Sequence, residues 1–150
     1  MLFQALSGSE CLTVTIAENV ARILIDNPQR KNAVDLAGWR AIAALVPELA
    51  ARTDVRAIIL AGTGSDFCAG ADISEFDTAR RDAATARIYE AANSAAFAAI
   101  RTSAVPVIAA IRGICFGGGF GLAAACDLRM ATSDARFAVP AARLGLAYPQ

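Results

Sequence analysis

The sequence predicts an α/β fold, and three observations carry that expectation. Short apolar runs alternate with longer stretches at helical spacing, the order expected when strands and helices pack in layers. Two of the runs, "VRAIILAG" (55–62) and "VPVIAAI" (105–111), are nearly all apolar, as strands covered on both faces must be. A chain of 150 residues that is 56% hydrophobic can also bury the core of one ordinary domain.

The elements follow in order. "CLTVTIA" (11–17) alternates apolar and polar residues, and "VARILIDN" (20–27) follows after Glu18-Asn19, which reads as a hairpin. "NPQRKNAVD" (27–35) is polar and turn-rich, hence a loop. Asp35 is placed to cap a helix that spaces Leu36, Trp39, Ile42, Ala43, Leu45, Val46 and Leu49 along one face. Pro47 is expected to kink or restart that helix. After the strand at 55–62, "TGSDFCAGADISEFD" (63–77) reads as a long loop with glycines, and an alanine-rich helix is expected over 79–101. Pro106 stands at the start of the strand 105–111. The stretch "ICFGGGFGLAAACDLRMA" (114–131) then opens a helix running to Cys126, with strands expected at 128–132 and 135–140. No linker, low-complexity tail or tandem repeat interrupts residues 1–150, so one domain is expected.

Charge and composition narrow the function. Fourteen basic and 14 acidic side chains are interspersed and sum to zero, which argues against a nucleic-acid partner needing a basic patch. Charges such as Arg101 and Arg112 break the apolar stretches well short of the roughly 20 residues a bilayer requires, so no membrane partner is expected. The first residues lack a basic region followed by a long apolar core, so no secretory signal is expected. Cys11, Cys68, Cys115 and Cys126 form no C-x-x-C pair and read as reduced thiols of a cytoplasmic protein, not as disulfides or metal ligands. The chain has no histidine, which removes Ser-His-Asp and Cys-His pairs and the commonest zinc ligand. Acid–base work within these residues falls to carboxylates, thiols, tyrosine or lysine, with backbone donors beside them.

Gly117, Gly118, Gly119 and Gly121 follow a buried strand and open a helix. Such a turn leaves free N–H groups at the positive end of the helix dipole. It is not a P-loop, because no Gly-Lys occurs, and not a dinucleotide fingerprint, because position 122 is Leu122. Two readings stay open. The small residues let the helix pack closely on a neighbour. Alternatively, the second glycine-containing loop "DFCAGADIS" (66–74) and this one each present an N–H to a shared oxygen, forming an oxyanion hole.

Four blocks in sequence, "NPQRKNAVD" (27–35), "FCAGADISEF" (67–76), "AVPVIAAIRGICFGGGFGLAAACDLRMAT" (104–132) and "ARFAVPAARLGL" (135–146), resemble the crotonase superfamily, also called enoyl-CoA hydratases/isomerases. The resemblance covers nearly the whole chain in the right order and spacing. It implies a crotonase-like spiral of ββα units, the N-terminal core of that fold without the C-terminal helices that cover the acyl pocket and build the oligomer. It also implies an acyl-CoA substrate, no cofactor besides the coenzyme A of that substrate, and a homo-oligomer, trimer or hexamer. The thioester carbonyl would lie between the backbone N–H groups of Ala71 and Gly118, where hydrogen bonds lower the energy of an enolate. Lys31, Asn32 and Ala33, with Ala69, Asp72 and Ile73, resemble the CoA- and adenine-binding surface. Lys31 or Arg30 would meet a CoA phosphate, unless both are a solvated basic loop, and Asp72 is as well suited to cap its own loop as to touch ligand.

The departures from the family pattern bear on the reaction. The two glutamates with which these hydratases handle water correspond to Gly121 and Ala141, and neither side chain can move a proton. The related isomerases keep the second of them. The expected reaction is therefore isomerisation, decarboxylation, thioester hydrolysis or C–C chemistry through a stabilised enolate. The other reading is a catalytically silent acyl-CoA-binding or assembly subunit. Arg143, Tyr148 and Cys115 are nearby replacement candidates, each also readable as a surface or packing residue, and Asp127 reads as a turn residue.

Overall fold

A computed structural model of the protein describes residues 2–3 and 10–145. In chain order its strands and helices are β1 (Leu2–Phe3), β2 (Leu12–Ala17), β3 (Val20–Ile25), α1 (Leu36–Ala50), β4 (Ala57–Gly62), α2 (Phe76–Ala79), α3 (Ala83–Arg101), β5 (Val107–Ile111), β6 (Ile114–Phe116), α4 (Gly118–Ala125), β7 (Leu128–Ala131) and β8 (Arg136–Ala138).

The expected hairpin is β2–β3. Its register pairs Ala17 with Val20, so Glu18 and Asn19 form a two-residue turn, and both take the positive φ such a turn requires (51° and 64°). Alternation buries Leu12 and Val14 on β2 and Ala21, Ile23 and Ile25 on β3. From β3 the sheet continues in parallel through β4, β5 and β7, giving the order β1-β2-β3-β4-β5-β7. A second, two-stranded parallel sheet joins β6 to β8. α1 and α3 pack on each other, and Trp39, Tyr89 and Phe67 are the largest side chains buried between the layers.

α1 starts where the sequence indicates, because the Asp35 carboxylate accepts the Gly38 N–H at 2.6 Å. It differs from expectation at Pro47, through which it runs unbroken. Pro47 lies exposed near the C-terminal end, and the buried neighbours Val46 and Leu49 hold the last turn to the core. The helix expected over 79–101 begins four residues later, at Ala83. A short α2 precedes it, and α3 begins only after Asp82, whose carboxylate takes the Thr85 N–H (2.8 Å) while the Thr85 hydroxyl takes the Asp82 N–H (3.0 Å). β5 begins at Val107 because Pro106 has no N–H to add to a ladder, though its carbonyl accepts the Ile58 N–H at 2.9 Å. β6, directly after Gly113 (φ 53°), has no counterpart in the sequence reading. β7 lies at one edge of the large sheet with all four residues exposed, Leu128 and Met130 among them. No helix among the described residues is long and apolar enough to cross a membrane.

Candidate functional site

The loop after β3 is organised by one buried polar side chain. Asn32 donates to the carbonyls of Thr63 (2.8 Å) and Asp66 (2.7 Å) and accepts the Asn27 N–H (3.0 Å). It thereby ties the turn at 27–33 to the loop after β4, and a polar side chain buried this deeply is stable only when so satisfied. The second loop is then gripped from both sides. On one side Val34 donates to the Gly70 carbonyl (2.8 Å), Asp72 donates to the Val34 carbonyl (2.9 Å), and Ala69 donates to the Lys31 carbonyl (2.9 Å). On the other, Cys68 pairs with β6, donating to Ile114 (3.0 Å) and accepting from Phe116 (3.0 Å).

These contacts bring the two glycine-containing loops together. A methyl group placed on Gly118 would lie 3.7 Å from the Ala71 nitrogen, and one on Gly70 would lie 3.1 Å from the Gly118 nitrogen. Gly70 adopts φ 106°, a backbone reserved for glycine, as the chain makes this approach. The Val34 bridge uses the Gly70 carbonyl and the Asp72 amide, leaving the Ala71 N–H out of the pairing. Gly118 stands at the first position of α4, where N–H groups have no acceptor within the helix. The start of α4 and the Gly70–Ala71 turn thus approach one another closely.

Beside Ala71 runs a groove of about 360 Å³ lined by Arg30, Ala33, Ala69, Ala71, Asp72 and Ile73. Of the residues expected on the CoA-binding surface, Lys31 and the buried Asn32 are not on its wall. Lys31 is exposed at a left-handed turn position (φ 53°) and contributes its carbonyl to Ala69. Arg30 reaches across to Asp72, with Nη1 3.1 Å from Oδ1. The same Oδ1 accepts the Ser74 N–H (3.0 Å) and hydroxyl (2.7 Å), so Asp72 does cap its loop, at the 3-10 turn Ile73–Glu75. Burial pushes the Asp72 carboxyl up, but the Ser74 donors and the Arg30 guanidinium outweigh it and hold it below the ordinary value of 3.8. A depressed carboxyl stabilises the fold above its unfolded pKa, and that contribution disappears as pH falls through the lower folded value. Asp72→Asn is therefore expected to lower Tm at neutral pH by an amount that shrinks below about pH 4, measured by calorimetry across pH. A Tm difference that does not change with pH would contradict this account.

The remaining candidates fall elsewhere. Cys115 is buried opposite Cys68, and burial pushes its thiol up to about 11, away from thiolate chemistry. Burial likewise pushes Cys68 up to about 12, against a lowering hydrogen bond from Gly70. Asp127 accepts the Val107 N–H at 2.8 Å and serves as a turn residue. Ala141 and Arg143 lie in the 3-10 segment Pro140–Leu144, and Tyr148 lies outside the described residues.

Sequence reasoning missed the aromatic floor. A methyl group on Gly118 would meet the Trp39 ring at 2.9 Å, and one on Gly121 would meet Phe97 at 2.5 Å. Trp39 and Phe97 pack edge to face, with centroids 5.8 Å apart at 77°. The available signal was the run of glycines itself, since a helix face without side chains requires bulky partners, and the chain has one tryptophan.

Fold and site together define a mixed α/β protein with a groove lined by three alanines, Ile73 and the Arg30–Asp72 ion pair. The chain belongs to the enoyl-CoA hydratase/isomerase family, whose model it matches over residues 15–150. It is similar to mouse mitochondrial Delta(3,5)-Delta(2,4)-dienoyl-CoA isomerase, at 33% identity over 92% of this chain and 45% of that protein. It is also similar to an indene-carboxyl-CoA hydrolase of Mycobacterium tuberculosis, at 39% identity over 89% of this chain and 54% of that protein. A crystal structure of an enoyl-CoA hydratase/isomerase family protein from Hyphomonas neptunium superposes with a TM-score of 0.90 at 42% identity, over 95% of this chain and 55% of that one. The crotonase-like fold is thus common to both. The chain spans about half the length of these relatives.

Proposed function

We propose that the protein binds an acyl-CoA thioester along the Arg30–Ile73 groove and stabilises its enolate through the N–H groups of Ala71 and Gly118. The observation that carries this reading is the approach of those two residues, 3.7 Å from the Ala71 nitrogen to a methyl position on Gly118, with Ala71 itself lining the groove. As the thioester carbonyl gains negative charge, both donors and the α4 dipole strengthen their hold on it, and loss of one donor costs about 3 kcal/mol in comparable sites. The small side chains of Ala33, Ala69 and Ala71 let a ligand lie against backbone, and Arg30 supplies a cation for a phosphate. The reading needs no cofactor beyond the substrate's own coenzyme A.

Neither the Gly121 nor the Ala141 side chain can move a proton as a hydratase glutamate does, so the reaction class is isomerisation, decarboxylation, thioester hydrolysis or C–C chemistry. The isomerase and hydrolase among the relatives are consistent with that range. A homo-oligomer belongs to the same reading, since Leu128, Met130, Phe137 and Val139 expose apolar surface that a subunit contact would cover. A second reading, a silent acyl-CoA binder, is favoured by one feature: the Phe97 ring fills the space that a side chain at 121 would need.

A turnover screen over enoyl-, dienoyl-, malonyl-type and hydroxyacyl-CoA thioesters, run beside binding calorimetry, separates the two. Turnover of one class is expected, with acyl-CoA binding more tightly than free CoA. Binding without turnover selects the silent binder, and failure of both CoA and its thioesters to bind removes either reading.

A further inference from the structure

The two donors of the proposed site lie on different elements, Ala71 in the loop after β4 and Gly118 on α4, and one buried hydrogen-bonded pair reaches both. Beneath Gly118 lies the Trp39 ring, so close that even a methyl group on Gly118 would touch it at 2.9 Å. The Trp39 Nε1–H donates to the Tyr89 hydroxyl at 3.0 Å. That hydroxyl in turn donates to the Val34 carbonyl, at a longer 3.4 Å. The same carbonyl accepts the Asp72 N–H at 2.9 Å, while the Val34 N–H is bound to the Gly70 carbonyl at 2.8 Å. Val34 therefore grips the chain on both sides of Ala71, and Tyr89 grips Val34.

We propose that Trp39 and Tyr89 are a positioning pair that fixes the distance between the Ala71 and Gly118 amides. The proposal rests on the oxyanion reading and goes beyond it, because neither side chain touches the carbonyl oxygen. Both residues are almost fully buried, at 0% and 1% exposure, and among the described residues their polar side-chain atoms bond to each other and to Val34. Burial raises the Tyr89 pKa above its ordinary value, more than its other neighbours lower it, so the hydroxyl keeps the proton it donates. Outside the pair, Phe76 packs edge to face on Tyr89 (5.8 Å), Arg80 lies over the Tyr89 ring (5.5 Å) and Phe97 abuts Trp39 (5.8 Å), which leaves neither ring room to shift. In a low-dielectric network of this kind, removing one hydroxyl orphans the indole N–H and releases the far arm together.

The test uses acetyl-CoA as probe and reads its thioester carbonyl by isotope-edited infrared difference spectroscopy. On the wild-type protein the band is expected to move to lower frequency on binding, as two donors polarise the carbonyl. Tyr89→Phe is expected to lose about half of that displacement, while free-CoA affinity by calorimetry changes less than about twofold. Trp39→Phe keeps a ring beneath Gly118 but removes the Nε1 donor, and is expected to give the same loss. It also serves as the reporter if Tyr89→Phe does not fold. A folded variant with the full wild-type displacement overturns the positioning role. Absence of displacement in the wild type is a different result, which overturns the oxyanion reading and this proposal with it.

Discussion

Gly118→Pro is expected to reduce kcat for the acyl-CoA substrate by about a hundredfold to a thousandfold, because it deletes one of two donors that act on the developing oxyanion. Proline suits the backbone at this position. Gly118 is the first residue of α4, where the N–H has no helical acceptor and proline's fixed φ is already that of the helix. The confounding effect is steric, since any atom added to Gly118 approaches the Trp39 ring at 2.9 Å. Gly118→Ala isolates that effect, because alanine adds the methyl group but keeps the N–H. Steady-state kinetics on both variants should show the proline form far below the alanine form. A folded proline variant with near-normal kcat would remove Gly118 from the oxyanion hole. Equal losses in the two variants would attribute the effect to Trp39 instead.

The outcome at Gly118 also shows how much of the site could be read in advance. Local signals were sufficient for the hairpin, the Asp35 cap and the buried strands, since each depends on neighbours within a few residues. The proposed pairing of Ala71 with Gly118 comes from the resemblance of two blocks to a family, and a methyl group on Gly118 would lie 3.7 Å from the Ala71 nitrogen. What stayed hidden depends on distant partners. Trp39 and Tyr89 are 50 residues apart, and each reads simply as an apolar face residue of its own helix. β6 is three residues long, too short for any periodicity to register, yet it carries the Cys68 pairing that holds the second loop. The break before α3 falls at Arg80, Arg81 and Asp82, and Asp82 with Thr85 forms a capping box that the sequence does carry.

Gly121→Glu would place a carboxylate where the family resemblance expects a hydratase glutamate, and it is expected to lower Tm by about 5–10 °C rather than create a hydratase. The first added atom would stand 2.5 Å from Phe97 Cζ and 2.9 Å from Cε1, inside van der Waals contact. The ring does not swing away freely, because its edge-to-face contact with Trp39 holds it from the other side. Overpacking of this kind costs about 1–3 kcal/mol, and the carboxylate adds a desolvation cost. Replacing a helical glycine returns only about 0.5–1 kcal/mol, so destabilisation wins. Phe97→Ala in the same chain removes the obstruction, though it leaves its own cavity. The double variant should therefore be more stable than the sum of the single effects predicts, and thermal unfolding of all four proteins in the cycle measures that coupling. Hydration of an enoyl-CoA, followed by loss of its conjugated absorbance, should stay at background even in the double variant, because Ala141 supplies no second carboxylate. A coupling near zero would mean that the ring yields without cost and that position 121 is open to a side chain. A strong coupling would mean that the aromatic floor, as much as the missing glutamate, separates this site from a hydratase.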